Sequence, residues 1–508
     1  MIKLSKREKF VLVGLLLILN IILRFQVVNN ELFSDSFLMH IMVNSLNEFG
    51  YARWFLHPLS VAGLYPASYT SSMHFLLSGI AQCTGMEMRW AIFLYCMFIG
   101  LLSMFTAYLM AGEILDNDLF KFLVAFGFST APGVLGYTTW TIPARGLFVV
   151  LTPLFIYLLL KCRTSLKYVP LVVIFAIFLF VTHHLSYFLI PSFLALIILL
   201  ICFKLKTHIT IRIPEPLMPL ILLGGFLCMF SIPFFTGRFI EESRYAPISV
   251  NYVRYIGILV IFAISGLTYQ IFKRDKGFGE LFLLLTLILL TIFIYEQTYM
   301  KWFLPIFVIP FAGFGLINVL RESEKRKYIL PIVVTFLLLA ISFSAYFQFL
   351  HTYEKTSFNE RYMEESTYKT GRWMKDNINS TAISNDEGFG NRIFAASDTT
   401  RFLVPFGMIA QIYGFISIDI SEFERYPITG EDFWFTGYKG PAIGEIVWQS
   451  VHMLRRSPND FNITWLVENV RCKGRVRWHH TGNPVELLNY AHGKDCVYDC
   501  GNINIWRL

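Results

Sequence analysis

The sequence predicts a mainly α-helical, polytopic membrane protein of about eleven transmembrane helices, with an α/β domain outside the cytoplasm at its C-terminal end. Three observations carry this. Of 508 residues, 55% are hydrophobic and only 15% charged, and mean hydropathy is +0.55, whereas roughly a quarter of a soluble domain is charged. Apolar runs of near-span length follow one another as far as residue 349 and then stop. The charge is also divided: residues 1–349 hold 26 Lys/Arg against 16 Asp/Glu, and residues 350–508 hold 17 against 19. A soluble enzyme, a disordered chain and a disulfide-stapled secreted domain are excluded. The basic excess belongs to the membrane half, and no nucleic acid is needed to explain it.

A span needs about 20 mostly apolar residues. The candidates lie near 10–29, 90–111, 120–137, 145–160, 168–185, 186–203, 217–236, 253–272, 280–296, 302–320 and 328–349. The first follows a basic flank of Lys3, Lys6, Arg7 and Lys9; its apolar run is too long for a cleaved signal peptide and lacks a small-residue cleavage site. Segment 70–85 (TSSMHFLLSGIAQCTG) invites a twelfth span, and charge rejects it. With eleven spans the N-terminus and the loops 112–121, 161–167, 204–216, 273–278 and 321–327 share one side and collect 18 Lys/Arg, while the opposite side collects about seven. A span at 70–85 would turn most of those basic loops outward, against the positive-inside rule. The expected plan is therefore a cytoplasmic N-terminus, a long external loop at 30–88 with amphipathic helices, a membrane domain over 1–349 and an external soluble domain over 350–508. The sequons at Asn379 and Asn462 both fall in that domain, at a frequency near chance. Cys472, Cys496 and Cys500 could supply one disulfide there.

Ionisable groups near bilayer depth are costly, so they mark function. They gather on the external side: Asp35 and His40 in ELFSDSFLMH, then Arg53, His57 and Tyr65, Arg145, the pair His183–His184, Arg238, Glu241, Glu242 and Arg244, and Lys301 in YMKW. One outward cavity could collect them. Charge-poor spans argue against a proton relay or an ion path. After Asp35, Leu38, Met42, Leu46 and Phe49 recur at helical spacing opposite Ser36, His40, Asn44 and Asn47. This predicts an interfacial amphipathic helix with its apolar side in lipid. Asp35 reads as the N-cap of that helix or as the acid of a site, and the two are compatible. The bland alternatives are a hydrated span end for the histidine pair, an exposed loop for Glu241–Glu242, and interface anchors for Lys301 and Arg145. There is no phosphate loop at Gly388–Gly390, no G-x-S-x-G elbow and no H-E-x-x-H.

These segments carry a resemblance. Asp35 and His40, the Gly50 turn, HPLSVAGLYP (57–66) and TGMEMRW (84–90) together resemble the first external loop of integral-membrane glycosyltransferases of the C superfamily (GT-C). YMKWFLPIFVIPFAGFGL (299–316) is similar to their late span, and GRWMKDNINSTAISNDEGFGNRIFAAS (371–397) looks like the start of the external domain of archaeal oligosaccharyltransferase catalytic subunits. The resemblance implies a transferase of the cell membrane that moves a sugar, with inversion, from a polyprenyl- or dolichyl-phosphate donor. The acceptor hydroxyl would belong to a surface glycan, glycolipid or glycoprotein. It implies Asp35 as catalytic base or metal-holding acid and Lys301 as the basic group at the lipid phosphate, with Arg145, Arg238 and Arg244 as further cations. His40, His57, Tyr65, His183, His184 and Glu241 join them as candidate substrate-binding residues.

One departure matters. Oligosaccharyltransferases carry Trp-Trp-Asp-Tyr-Gly where this chain reads Ser384-Asn385-Asp386-Glu387-Gly388. Both tryptophans are gone, so transfer to a sugar hydroxyl is preferred over N-glycosylation of protein. A divalent cation (Mg or Mn) is compatible with the resemblance, but no outer-loop motif requires one. Asp116-Asn117-Asp118 has the spacing on the cytoplasmic side, and a metal-free base mechanism is favoured. The alternatives are a flippase or transporter of lipid-linked sugars, which should show midplane polar groups and broken helix pairs, and a non-catalytic subunit, in which Asp35 is dispensable.

Overall fold

The computed structural model describes residues 4–25, 28–51, 72–208, 217–235, 252–293, 297–323, 326–353, 362–397, 402–403, 463–472 and 485–508. Helices cover the apolar runs. Among the described residues five are long and apolar enough to cross a membrane: Met88–Ile114, Ala144–Lys161, Leu185–Lys204, Met300–Glu322 and Ile329–Leu350. Four shorter apolar helices accompany them, at Leu166–Thr182, Leu217–Met229, Val260–Phe272 and Phe278–Phe293. The chain is a multi-pass membrane protein, and its lipid-facing surface is apolar along these helices, with Phe98, Ile174, Ile198, Ile264 and Leu338 exposed.

Two expected spans are interrupted at proline. Segment 120–137 is Asp118–Thr130 followed by a short turn of helix, Pro132–Leu135; segment 302–320 is interrupted at Leu304, between Gln297–Phe303 and Pro305–Ser323, within the longer apolar run Met300–Glu322. Proline lacks the N–H that would continue the ladder, so each breaks the helix and begins the next. Helix Ser72–Thr84, over the segment rejected as a twelfth span, has 13 residues, about 20 Å at 1.5 Å per residue.

The tightest helix crossing joins Val260–Phe272 to Pro305–Ser323 through a glycine pair. A Cβ on Gly266 would lie 1.9 Å from the Phe311 carbonyl oxygen, and one on Gly315 would lie 2.2 Å from that of Phe262. Small residues let the backbones approach, as membrane helices without a hydrophobic drive between them require.

Toward the C-terminus a mixed five-stranded sheet forms, in the order β2-β1-β3-β5-β4, from β1 (Thr381–Ser384), β2 (Phe402–Leu403), β3 (Ile463–Asn469), β4 (Asp495–Asp499) and β5 (Ile503–Arg507). β1 runs parallel to β2 and β3, whereas β5 is antiparallel to β3 and β4, with Val467 opposite Ile505. Helices Glu365–Asn377 and Glu387–Ser397 flank β1. Cys496 and Cys500 are free thiols; the side chain of Cys472 and the sequon residue Asn462 lie outside the described residues.

The helix after Asp35 differs from the expectation. It forms over Ser34–Phe49, but Ser36, His40, Asn44 and Ser45 are buried along with Phe37, Met39, Ile41, Met42, Val43 and Leu46. It therefore does not lie with one side in lipid. Helix Glu387–Ser397 covers its polar side, where Asn44 Nδ2 donates to the Ala395 carbonyl at 3.3 Å. The sequence periodicity was real, but both faces are used. Asp35 is not the N-cap either; Phe33 holds that place, and Asp35 sits in the first turn.

Candidate active site

Two loops build the site. The first leaves the Lys6–Arg24 helix and enters Ser34–Phe49; the second runs from Ala131 to Pro143 and enters Ala144–Lys161. Two bonds tie them: the Leu32 N–H donates to the Trp140 carbonyl at 2.7 Å, and the Ile142 N–H donates to Ser36 Oγ at 3.1 Å. Each loop contains one non-glycine residue with positive φ, Phe33 at 74° and Trp140 at 53°. Such conformations cost free energy and persist where packing overrides them, often at functional sites.

The result brings Asp35 and Arg145 together as an ion pair, 110 residues apart in sequence. Asp35 stays 49% exposed and Arg145 18% exposed at the side chain. Both lie in the opening turns of their helices. A carboxylate suits that place and a cation does not, because helix N-termini carry partial positive charge. Arg145 is compensated by Asp35 and by two rings: its guanidinium lies 4.7 Å from the Trp302 ring centroid and 5.5 Å from that of Tyr137.

A cavity of about 440 Å³ opens beside this pair. Its walls include Asp35, Tyr137, Arg145, Arg254, Tyr255 and Trp302. Tyr137 and Tyr255 meet the Trp302 ring edge-on, with centroids at 5.2 and 6.0 Å. Lys301 stands at the same ring, Nζ 4.5 Å from its centroid and 5.7 Å from that of Tyr255. The positive fields of Arg145 and Arg254 both act on it. Neither Lys301 nor Arg254 has an ion-pair partner among the described residues. Two cations, Arg145 and Arg254, thus line the cavity with one carboxylate and the rings of Tyr137, Tyr255 and Trp302. Lys301 is not among the described lining residues but stands against one of those rings, and two helices begin at the same wall. By charge and helix-terminus geometry this arrangement suits an anion.

Two further candidates, His40 and His183, fall elsewhere. His40 is buried, with Nδ1 2.5 Å from Glu31 Oε1, in a separate pocket of only about 10 Å³ with Glu87, Tyr368 and Arg372. Five positions after Asp35 it lies about 140° round the helix, and so turns away from the cavity. His183 is buried rather than hydrated; its Nδ1 accepts the Leu185 N–H at 3.1 Å and caps a short 3-10 helix. Neither histidine lines the cavity. His57, Tyr65, Arg238 and Glu241 lie outside the described residues, as does the side chain of His184. Arg254, Tyr255, Tyr137 and Glu31 were missed from sequence. Arg254 had a signal, a lone cation opening an apolar run; the aromatic residues are too common in this chain to stand out.

The acidic triplet and the oligosaccharyltransferase position are both used for folding. Asn117 Oδ1 accepts the Phe120 N–H at 3.0 Å as a helix cap, while Asp116 pairs with Lys121 and Asp118 with Lys9. Asp386 Oδ1 accepts the Phe389 N–H at 2.5 Å, and Asn385 Oδ1 accepts the Asn469 N–H at 2.8 Å. Among the described residues, no three His, Cys, Asp or Glu side chains come together as a metal site. The one carboxylate among the described lining residues faces a guanidinium. These residues alone do not fit a divalent cation, and no chemical step is derived through one.

No family model and no curated protein matches the sequence. Solved structures do match in fold. An oligosaccharyltransferase from Archaeoglobus fulgidus, crystallised with Zn and sulfate, superposes with a TM-score of 0.58 at 13% identity, covering 91% of this chain and 68% of that one. ArnT from Cupriavidus metallidurans, bound to undecaprenyl phosphate, gives 0.56 at 9% identity over 99% and 98%. The mycobacterial arabinofuranosyltransferase AftD gives 0.54 at 13% over 100% of this chain and 42% of its own. The chain shares the fold of these solved structures. At these identities the likeness is one of fold, and it extends over nearly the whole chain.

Proposed function

We propose that this protein transfers a sugar from a polyprenyl-phosphate donor to an acceptor hydroxyl on the outer face of the membrane, with inversion at the anomeric carbon. The observation that carries this is the cavity, which Arg145, Arg254 and the rings of Tyr137, Tyr255 and Trp302 line, with Lys301 against the Trp302 ring and Asp35 as the single carboxylate among the described lining residues. The undecaprenyl phosphate bound to ArnT, a protein of the same fold, is a ligand of the chemistry this cavity suits. In the reaction Asp35 takes the acceptor's hydroxyl proton as that oxygen bonds to the anomeric carbon. The bond from that carbon to the phosphate oxygen breaks, and its electron pair stays on the phosphate. The cations stabilise the charge that develops there. The incoming phosphate competes for Arg145 and thereby frees the Asp35 carboxylate to act as base.

The eleven apolar segments are taken as spans, with the N-terminus cytoplasmic and 30–88 and 350–508 outside. Ion pairs support this sidedness. Lys9 pairs with Asp118 at 2.7 Å and Lys161 with Glu113 at 2.6 Å, joining segments assigned to the cytoplasmic face. Contacts between Leu32 and Tyr362 and between Asn44 and Ala395 join segments assigned to the outer face. The folding roles of Asn385 and Asp386 favour a glycan or glycolipid acceptor over a peptide. Deleting the gene and profiling surface glycans and lipid-linked sugars by mass spectrometry tests the reading. A glycan shortened by one unit supports it; an unchanged glycome with redistributed lipid carrier would make the protein a transporter.

A further inference from the structure

Arg24 has no place in the chemistry above, yet it is the most costly side chain in the first predicted span. It lies within 10–29 and is 1% exposed. Its guanidinium is fully engaged. Nε donates to Thr138 Oγ1 at 3.0 Å, Nη1 to Asn20 Oδ1 at 2.6 Å and Nη2 to the Ser129 carbonyl at 2.9 Å. All three acceptors are neutral. The neighbouring helix makes room for it with Gly100, where a Cβ would lie 2.0 Å from Nε. The end of its own helix carries partial negative charge that favours a cation, but packing alone would be served at lower desolvation cost by an apolar side chain.

One of the three acceptors, Thr138, belongs to the second loop of the site, and another, the Ser129 carbonyl, lies in the last turn of the helix that leads into it. Ser129 and Thr138 bracket Pro132, Gly133, Gly136 and Tyr137, all of which line the cavity. Tyr137 adjoins Thr138, supports the Trp302 ring edge-on and lies beneath Arg145. Arg24, which is not itself a lining residue, thus holds the segment that forms this wall of the cavity. Its planar fork reaches a carbonyl, a hydroxyl and an amide at once, which a lysine ammonium on a flexible stem does not reproduce.

We propose that Arg24 is a positioning residue for the phosphate cavity, clamping the 129–138 segment so that Tyr137, Trp302 and Arg145 keep their places around the lipid phosphate. This rests on the donor reading given above. The test uses the full-length protein in detergent, with undecaprenyl phosphate as the probe, its affinity read by native mass spectrometry and the fold by thermal unfolding. Arg24→Met and Arg24→Lys should each weaken binding roughly ten- to a hundredfold while the unfolding midpoint moves by only a few degrees. Thr138→Val should weaken binding less, and combining it with Arg24→Met should add little, because both act through one contact. Wild-type affinity in both Arg24 variants overturns the proposal, as does a loss of affinity that merely tracks a loss of folded protein. If the Arg24 variants do not fold, Thr138→Val decides, and unchanged affinity there overturns it. A wild-type protein that does not bind undecaprenyl phosphate would instead remove the donor reading itself.

Discussion

Replacing Asp35 by Asn separates catalysis from architecture. The pair with Arg145 is only partly buried, Asp35 being half exposed, so its loss should cost the fold about 1 kcal/mol or less. Asn keeps the shape and one acceptor oxygen but cannot take a proton. A missing base typically costs roughly 10²–10⁴ in rate, equivalent to about 3–5.5 kcal/mol of barrier at ~1.4 kcal/mol per decade. The two magnitudes differ enough to be told apart. Transfer is measured by complementing a deletion strain and quantifying the completed surface glycan, and stability by thermal unfolding of the purified protein. Donor affinity should be unchanged or tighter, because Arg145 no longer has an internal carboxylate competing with phosphate. Turnover within about tenfold of wild type would refute the assignment of Asp35 as base. Lost turnover accompanied by lost affinity for undecaprenyl phosphate would make Asp35 a binding group instead.

Three further outcomes are expected. Lys301→Ala and Trp302→Ala should each weaken undecaprenyl phosphate binding by roughly tenfold, in line with a desolvated cation on a ring contributing about 1–2 kcal/mol, and equilibrium binding in detergent checks this. Tyr368 donates to Glu87 Oε1 at 2.6 Å, and burial together with that carboxylate raises its phenol well above the usual range. A raised acid stabilises the fold fully below its ordinary value of about 10 and loses that contribution as pH climbs through the folded value. Unfolding midpoints should therefore be flat from about pH 7 to 9 and fall above about pH 10; Tyr368→Phe should lower the plateau by about 1 kcal/mol and reduce the alkaline fall. Gly266→Ala should destabilise by about 1–3 kcal/mol, seen as a lower unfolding midpoint, because its methyl would meet the Phe311 carbonyl of the crossing helix.

The helical, apolar character of the chain was legible because apolar composition and the length of apolar runs are properties of the chain itself. Asp35, Arg145 and Lys301 were legible for a related reason: a charge beside an apolar run is conspicuous wherever the chain goes next. His40 and His183 were equally conspicuous, and the structure turns both toward internal partners, Glu31 and the Leu185 N–H. The sequence reading treated the spans as nearly free of charge, and it did so by passing over Arg24, whose acceptors lie more than a hundred residues away in two of three cases.

The sequence by itself thus determined the medium and the number of apolar runs, since hydrophobic transfer acts residue by residue. Which charges meet was decided only by the tertiary structure. The Leu32–Trp140 and Ser36–Ile142 bonds bring two loops together, and proximity across 110 residues follows from packing, not from local pattern. The same packing covers the polar face of the Ser34–Phe49 helix, so a periodicity that suggested a lipid surface serves instead as the seat for the Glu387–Ser397 helix.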